Sequence, residues 1–534
     1  RIQVKANAPE ETKGAIIAES AAAHARELLD KGRRAVAVVL NRVDTARRTW
    51  TLLQETASAT YDCVLITGRM RPIDQSEVIQ SIRDRVLAGR DDAKDAKPIV
   101  VVTTQCIEAG ADFDFDGMIT ECASLDALRQ RFGRVDRLGR RGSESVILCR
   151  TDLLGRAVDP VYGRALAKTF EWLESIASKS KTVDFGIDAL APMIEKLGNE
   201  LGEYCAPRRE APVLLPAYLD QWVQTQPRPY ADPDISLFLH GIPEGKYESL
   251  PDVQVVFRAD IGGLLEKAKE LTEKWKLEEN EKEYLREIRK ELLEATEVVP
   301  PGSLEALSLP VCAVRSWLTG RSGQSDETSD VEGPAPAEEA ASLDGRGRFV
   351  FVWFSSDEER RGRICAAGDI RPGDVVIVPT SYGGIGPHRS FDPEAPAYDS
   401  SPIIDLGDAV QLYQRGRASL RLDARVIGSF MTEEARKALS NLQAMSDEMV
   451  DLDDVRSLLE ALAGSEAWNE TVPPWMTTLG KALGSAYRLV SRKTATGRAW
   501  LATSRKPLAT SPSGVSVGDD RSDSTTEEDD GSFV

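Results

Sequence analysis

Between residues 10 and 150 the apolar positions switch repeatedly between helical spacing and short unbroken runs. From Glu11 to Lys31 they recur on one helical face and stop at Gly32, which predicts an amphipathic helix. Ala35 to Leu40 is apolar throughout, the pattern of a strand covered on both faces of a parallel sheet. A helix over about 43–57, the strand Cys63 to Ile66, and a helix from Pro72 to about Leu87 follow, proline being suited to a first turn. Further strands are predicted at Pro98 to Thr103, Gly117 to Thr120 and Ser145 to Leu148. This alternation predicts an α/β domain over 1–150, a parallel sheet sandwiched by helices with ligands at the C-terminal ends of its strands.

Downstream the pattern changes. Residues 151–320 are expected to form a helical region, including one long Lys- and Glu-rich helix from about Leu264 to Ala295. Residues 321–345 have the composition of a flexible linker. A small β-rich module is expected over 346–430, with strands at Phe349 to Phe354, Asp374 to Pro379 and Leu420 to Phe430. Residues 431–504 are expected to return to helix, and 505–534 to form a disordered acidic tail. No internal repeat is evident.

Charge refines this division. The chain carries −19 overall, yet residues 1–150 hold 24 Lys and Arg against 22 Asp and Glu, a balance of +2. The remainder therefore carries −21, of which Asp519 to Asp530 contributes −6. The first domain is free to meet phosphates. The seven cysteines form no Cys-x-x-Cys pair and several lie in apolar runs, so reduced thiols in a cytoplasmic protein are expected. With three histidines and no His-Asp dipeptide, the chain has no place for a metal-dependent nuclease centre. It opens on Arg1, without an initiator Met or a signal core, and is expected to be a piece of something longer.

The sharpest candidate chemistry runs from Ser124, a plausible helix cap, to Arg137. On a continuous helix, Leu125, Leu128, Phe132 and Val135 share the core face. Gln130, Arg134 and Arg137 then share roughly the opposite one. Gly133 between them allows close approach to the backbone. Guanidinium groups are permanently charged and forked, as gripping phosphate oxygens requires, and a plain solvated basic face would not explain the Gln and Gly. Upstream, the strand ending at Thr103 runs into Thr104, Gln105, Glu108, Gly110 and Asp112, hydroxyls and a glycine at the sheet's ligand edge. The Asp112-Phe-Asp-Phe-Asp116 alternation is read as a short strand or turn in preference to a metal site.

Thr104-Gln-x-x-Glu108-x-Gly110-x-Asp112 and Gln130-Arg131-x-Gly133-Arg134-x-x-Arg137 resemble motifs V and VI of superfamily-two helicases. Val39 to Val43 with Ala46, and Ile66 to Pro72, resemble earlier motifs of the same RecA-like lobe. The set is most similar to the helicase of type I CRISPR interference. Asp159-Pro-Val-Tyr-Gly163, Ala211 to Pro216, Arg371-Pro-Gly-Asp374 and Tyr382-Gly-Gly384 resemble its subtype once labelled U and now G. The resemblance implies an ATP-dependent DNA helicase of antiviral defence, with single-stranded DNA, a first RecA-like lobe and a CRISPR surveillance complex as partners. It implies that Arg134 and Arg137 contact the γ-phosphate with Gln130 in support, and that Gly110 and Asp112 lie at the nucleotide edge. Thr104, Gln105, Arg69 and Asn41 would follow the DNA backbone. Arg131 would pack or touch DNA.

The departures matter equally. No Gly-x-x-x-x-Gly-Lys-Ser/Thr loop occurs, Gly480-Lys481-Ala482 falling short of one, and no Asp-Glu-x-His or Asp-Glu-x-Asp box is present. ATP phosphates and magnesium would therefore be held by a first lobe outside this chain, and the chain alone is expected to be inactive. Another superfamily-two translocase of restriction or repair, and a non-catalytic helicase-like adaptor, are the alternative readings.

Overall fold

The computed structural model describes residues 1–396 apart from 6–7, 58–59, 91–96, 109–111, 156–157, 180, 208–212, 217–218, 220–251, 259–260, 273–277, 299–300, 303–304, 321–346 and 354–361. Beyond 396 it describes the backbone of 417–422, 486–494 and 497–504, with a few isolated residues. The expected linker at 321–345 and the acidic tail at 505–534 lie outside the described residues, as does most of 431–485.

The alternating pattern of the first domain becomes a RecA-like α/β layer. Its elements are α1 (Glu10–Asp30), β1 (Ala35–Val39), α2 (Val43–Ala57), β2 (Asp62–Ile66), α3 (Pro72–Val86), β3 (Ile99–Thr103), β4 (Gly117–Glu121), α4 (Leu125–Phe132) and β5 (Glu144–Leu148). The strands run parallel in the order β2-β3-β1-β4-β5. Every residue of β1, β3 and β4 is buried, because both faces are covered. Val36, Val38, Val100 and Val102 pack with Ile17, Ala21 and Leu28 of α1 and Leu53 of α2. The alternate residues Ala35, Ala37, Val39 and Val101 pack with Ile82 and Val86 of α3 and with Phe113 and Phe115. Order β3-β1-β4 sets the loops after β1, β3 and β4 side by side at one edge.

Next come α5 (Ala165–Ile176) and α6 (Ile187–Glu195), and then β6 (Val253–Arg258), which the helical expectation for 151–320 missed. Its Val253, Val255 and Phe257 alternate into a core, a strand signal too short to stand out from helical surroundings. The expected long helix is two, α7 (Gly262–Thr272) and α8 (Glu279–Val298). The second begins where the Glu278 N–H donates to the Glu281 carboxylate at 3.0 Å, a local cap hidden in a charge-rich run. Then follow β7 (Leu307–Leu309), α9 (Val311–Thr319), β8 (Phe349–Trp353), β9 (Arg363–Ala366) and β10 (Val375–Pro379).

The second sheet is mixed, in the order β7-β6-β10-β8-β9, so the β-rich module draws two strands from upstream of the linker. Parallel β6 and β10 form its centre. Val314 and Trp317 of α9 cover one face, and Leu265, Ala268 and Leu292 of α7 and α8 cover the other. Residues 486–494 and 497–504, expected to be helical, pair antiparallel as β12 (Ala486–Thr494) and β13 (Gly497–Ser504), with β11 (Arg417–Leu422) beside β13. The Thr, Val, Tyr and Trp content of these segments favours strand pairing over helix.

The two sheets are joined through the loop 385–392, which docks on the turn after β2. The hydroxyls of Thr67 and Ser390 share a 2.8 Å hydrogen bond, and Phe391 N–H donates to Arg69 O at 2.8 Å. Arg47 pairs with Asp392 at 2.9 Å, Arg389 with Glu77 at 2.7 Å, and Arg69 with Asp252 at 2.8 Å. His388 is buried against the Trp50 ring edge and accepts the Ser390 N–H on Nδ1. Burial pushes its pKa down to about 4, helped by Arg47 and opposed by Asp392. The folded state therefore holds His388 neutral, while the unfolded chain protonates it below its ordinary value. Its contribution is complete above about pH 6.5 and is lost as pH falls towards the folded value, about 2 kcal/mol of it between about pH 7.5 and about pH 5. Urea midpoints of wild type and His388→Gln at those two pH values check this: the wild type should lose more stability than the variant by about that amount.

Among the described residues, no helix is long and apolar enough to cross a membrane.

Candidate functional site

Helix α4 does not continue to Arg137. It ends at Phe132 with Gly133 as its cap, Gly133 N–H donating to Arg129 O and Arg134 N–H to Arg131 O, both at 2.9 Å. Arg134 and Arg137 thus lie in the turns beyond the helix, and the expected common face with Gln130 does not exist. Ser124 occupies the N-cap position, but its buried hydroxyl makes no cap bond. Gln130 is exposed on the last turn.

A different device brings the two arginines together. Val135 bridges to Phe115, with Phe115 N–H donating to Arg134 O at 2.8 Å and Asp136 N–H to Phe115 O at 3.0 Å. The Asp112 to Asp116 segment is the template for this turn. Phe113 and Phe115 are buried, and so are Asp114 and Asp116. Asp114 accepts Arg137 N–H at 2.9 Å and pairs with Arg141 at 2.7 Å; Asp116 pairs with Arg90 at 2.5 Å and accepts the N–H groups of Arg34 and Ala35. These carboxylates are taken up by cations and backbone donors.

On this template Arg134 Nη2 donates to Glu108 O at 2.9 Å, while its buried Nε has no hydrogen-bond partner among the described residues. Arg137, more exposed, pairs with Asp112. Burial lowers the Arg134 pKa from its ordinary value, and the neighbouring Arg137 charge lowers it further, Asp112 opposing. A guanidinium with an unused donor, crowded by a second cation, fits an anion such as a polyphosphate: both deficits would be relieved by the same ligand. Gly110 lies outside the described residues.

Beneath the turn, Arg131 is fully buried and uses all five of its donors. Nε donates to Glu108 Oε1 at 2.8 Å; Nη1 to Thr120 Oγ1 and Glu121 O, both at 2.9 Å; Nη2 to Asn41 Oδ1 at 3.0 Å and the Tyr162 hydroxyl at 2.8 Å. Of the two roles left open for it, packing is the one observed. Burial raises the Glu108 pKa, partly offset by Arg131. Asn41 also donates from Nδ2 to Cys122 O, and its backbone N–H is received by Glu121. One ion pair and its hydrogen bonds therefore tie the ends of β1, β3 and β4 to α4.

The residues expected to follow a nucleic-acid backbone share this edge, but their side chains point inward. Thr104, Gln105, Asn41 and Arg69 are all buried. Gln105 donates to Asn41 O at 3.1 Å, Thr104 to Cys106 Sγ at 3.7 Å, and Arg69 holds Asp252 and Ser308 O. Tyr162 and the pair of Thr120 and Glu121 were not singled out from sequence. The one available signal was the Asp159-Pro-Val-Tyr-Gly163 stretch, noted without a role.

Residues 32–140 match the family model described as CRISPR-associated nuclease/helicase Cas3, C-terminal. A CRISPR-associated nuclease/helicase Cas3 of Methanothermobacter thermautotrophicus is 31% identical over 112 residues, 21% of this chain and 12% of that protein. Among solved structures, T. fusca Cas3-ATP is 20% identical over 38% of this chain and 25% of its own, with a TM-score of 0.26. A second, a CRISPR-associated protein, is 18% identical over 47% and 30%, also at 0.26. Residues 32–140 are thus similar to a Cas3-like C-terminal helicase region, and the chain spans 12% of the length of the curated relative it matches.

Proposed function

We propose that this chain is the second motor lobe, with its accessory modules, of an ATP-dependent DNA translocase of the CRISPR nuclease/helicase kind, subtype G-like. The observation that carries the reading is the pair Arg134 and Arg137 beyond the end of α4, held on the segment that enters β4, the first with a buried Nε that has no partner among the described residues. Arg134 and Arg137 would stabilise charge gathering on a γ-phosphate presented by a first lobe, with Gln130, exposed on the last turn of α4, in support. ATP with magnesium held on that lobe would supply the phosphoanhydride whose hydrolysis powers the cycle. Gly110 and Asp112 would border the nucleotide, Asp112 steering Arg137.

Single-stranded DNA would run over the turns after β2 and β3. There Thr104 and Gln105 contribute backbone groups, while Asn41 and Arg69 keep those turns in place from within. The acidic modules would meet protein partners, a CRISPR surveillance complex among them.

DNA-stimulated ATPase, measured on this chain alone and then with a first-lobe protein added, tests the whole reading. No activity alone and activity on mixing is the expected result. Hydrolysis by the chain alone would mean a nucleotide site of another kind, and none in either case would favour a non-catalytic adaptor.

A further inference from the structure

We infer that Tyr162, in the turn that follows the parallel sheet, is a positioning residue for the Arg134 guanidinium, acting through Arg131 and Glu108. The inference rests on the motor reading above and names a control that reading does not contain.

The turn itself is fixed. Asp159 Oδ1 accepts the N–H groups of Val161 and Tyr162, both at 2.9 Å, and Gly163 N–H returns to Asp159 O at 2.8 Å. Gly163 has φ +59, a left-handed value that other residues adopt at a cost. Arg42, next to Asn41 at the end of β1, pairs with Asp159 at 3.4 Å. Tyr162 is thereby held under the sheet edge, buried among Leu166 and Phe170 of α5 and Leu128 of α4.

From its hydroxyl a continuous path of three hydrogen bonds leads to the arginine turn. Arg131 Nη2 donates to Tyr162 Oη at 2.8 Å, Arg131 Nε to Glu108 Oε1 at 2.8 Å, and Arg134 Nη2 to Glu108 O at 2.9 Å. A planar guanidinium pinned at both ends cannot tilt. Without the Tyr162 hydroxyl, Nη2 keeps Asn41 alone, that corner of the Arg131 plane is held by one bond in place of two, and Glu108 at the other end is held less firmly. Its carbonyl is the group that orients Arg134. Tyr162 belongs to the segment after the sheet, so the accessory region has a physical route to the arginine turn.

Tyr162→Phe keeps the ring and removes the hydroxyl. In the full chain alone, hydrogen exchange should quicken by about tenfold at the amides of Glu108, Gly133 and Arg134 and stay unchanged in β1 and β3. With a first-lobe protein, kcat for ATP should fall on the order of tenfold at constant KM, and the substitution should cost nothing further in an Arg134→Ala background. An additive loss in that background, unchanged exchange, or a uniform rise in exchange would each overturn the inference. If Arg134→Ala keeps full ATPase, the motor reading fails, while the exchange pattern still decides whether Tyr162 holds the turn.

Discussion

Replacing Arg134 by alanine in the complete two-lobed enzyme lowers DNA-stimulated ATP hydrolysis by about 10³-fold, while DNA binding stays within about twofold. The size follows from the role proposed for it. A guanidinium placed where charge gathers on a transferring phosphoryl group acts in the transition state. Arg137 is more exposed and already partnered by Asp112, so Arg137→Ala should cost less, about tenfold. Single-turnover hydrolysis and fluorescence anisotropy on the same preparations separate the two effects. An Arg134→Ala enzyme that hydrolyses ATP at the wild-type rate would remove the arginine-finger assignment, and one that has lost DNA binding would move Arg134 to the DNA path.

The second large effect is on stability and belongs to Arg131. Arg131→Met fills part of the same volume but leaves Glu108, Asn41 Oδ1 and the Tyr162 hydroxyl without their donor. Breaking a buried ion pair from one side costs about 3–5 kcal/mol, a large part of a domain's net stability. Arg131→Lys should recover little, since an ammonium offers three donors from a point where a planar fork reaches five acceptors. Urea unfolding followed by tryptophan fluorescence measures the cost. A loss below about 1 kcal/mol for Arg131→Met would mean that the network relaxes onto water. Glu108→Gln together with Arg131→Met should be milder than the sum of the two, because the stranded charge is gone.

Much of the first domain could be read from its sequence, because unbroken apolar runs such as Ala35 to Leu40 have few alternatives once helical stretches separate them. The basic cluster was legible in composition but not in geometry. Treating Gln130, Arg134 and Arg137 as one helical face assumed that the helix ran through Gly133, where it stops. What aligns the arginines is a bridge between Phe115 and Val135, a tertiary contact with no local signature. The inward orientation of Asn41 and Arg69 is invisible to a local reading for a related reason. A polar residue at a strand end looks exposed until a remote partner such as Arg131 or Asp252 is known. The mixed sheet was half legible: β8 and β10 announce themselves, but β6 lies far upstream in a stretch dominated by helical and irregular composition.

The joint between the sheets also fixes an order of events during synthesis. Thr67 leaves the ribosome well before Ser390, its partner 323 residues further along the chain. At roughly 5–20 residues per second the turn after β2 waits on the order of 16–65 s for the loop that completes it. Throughout that interval Arg47 and Glu77 lack the counter-charges of Asp392 and Arg389, and Trp50 lacks the ring of His388. The nascent lobe is thus longest exposed to misassociation at the edge it later uses to hold the rest of the protein.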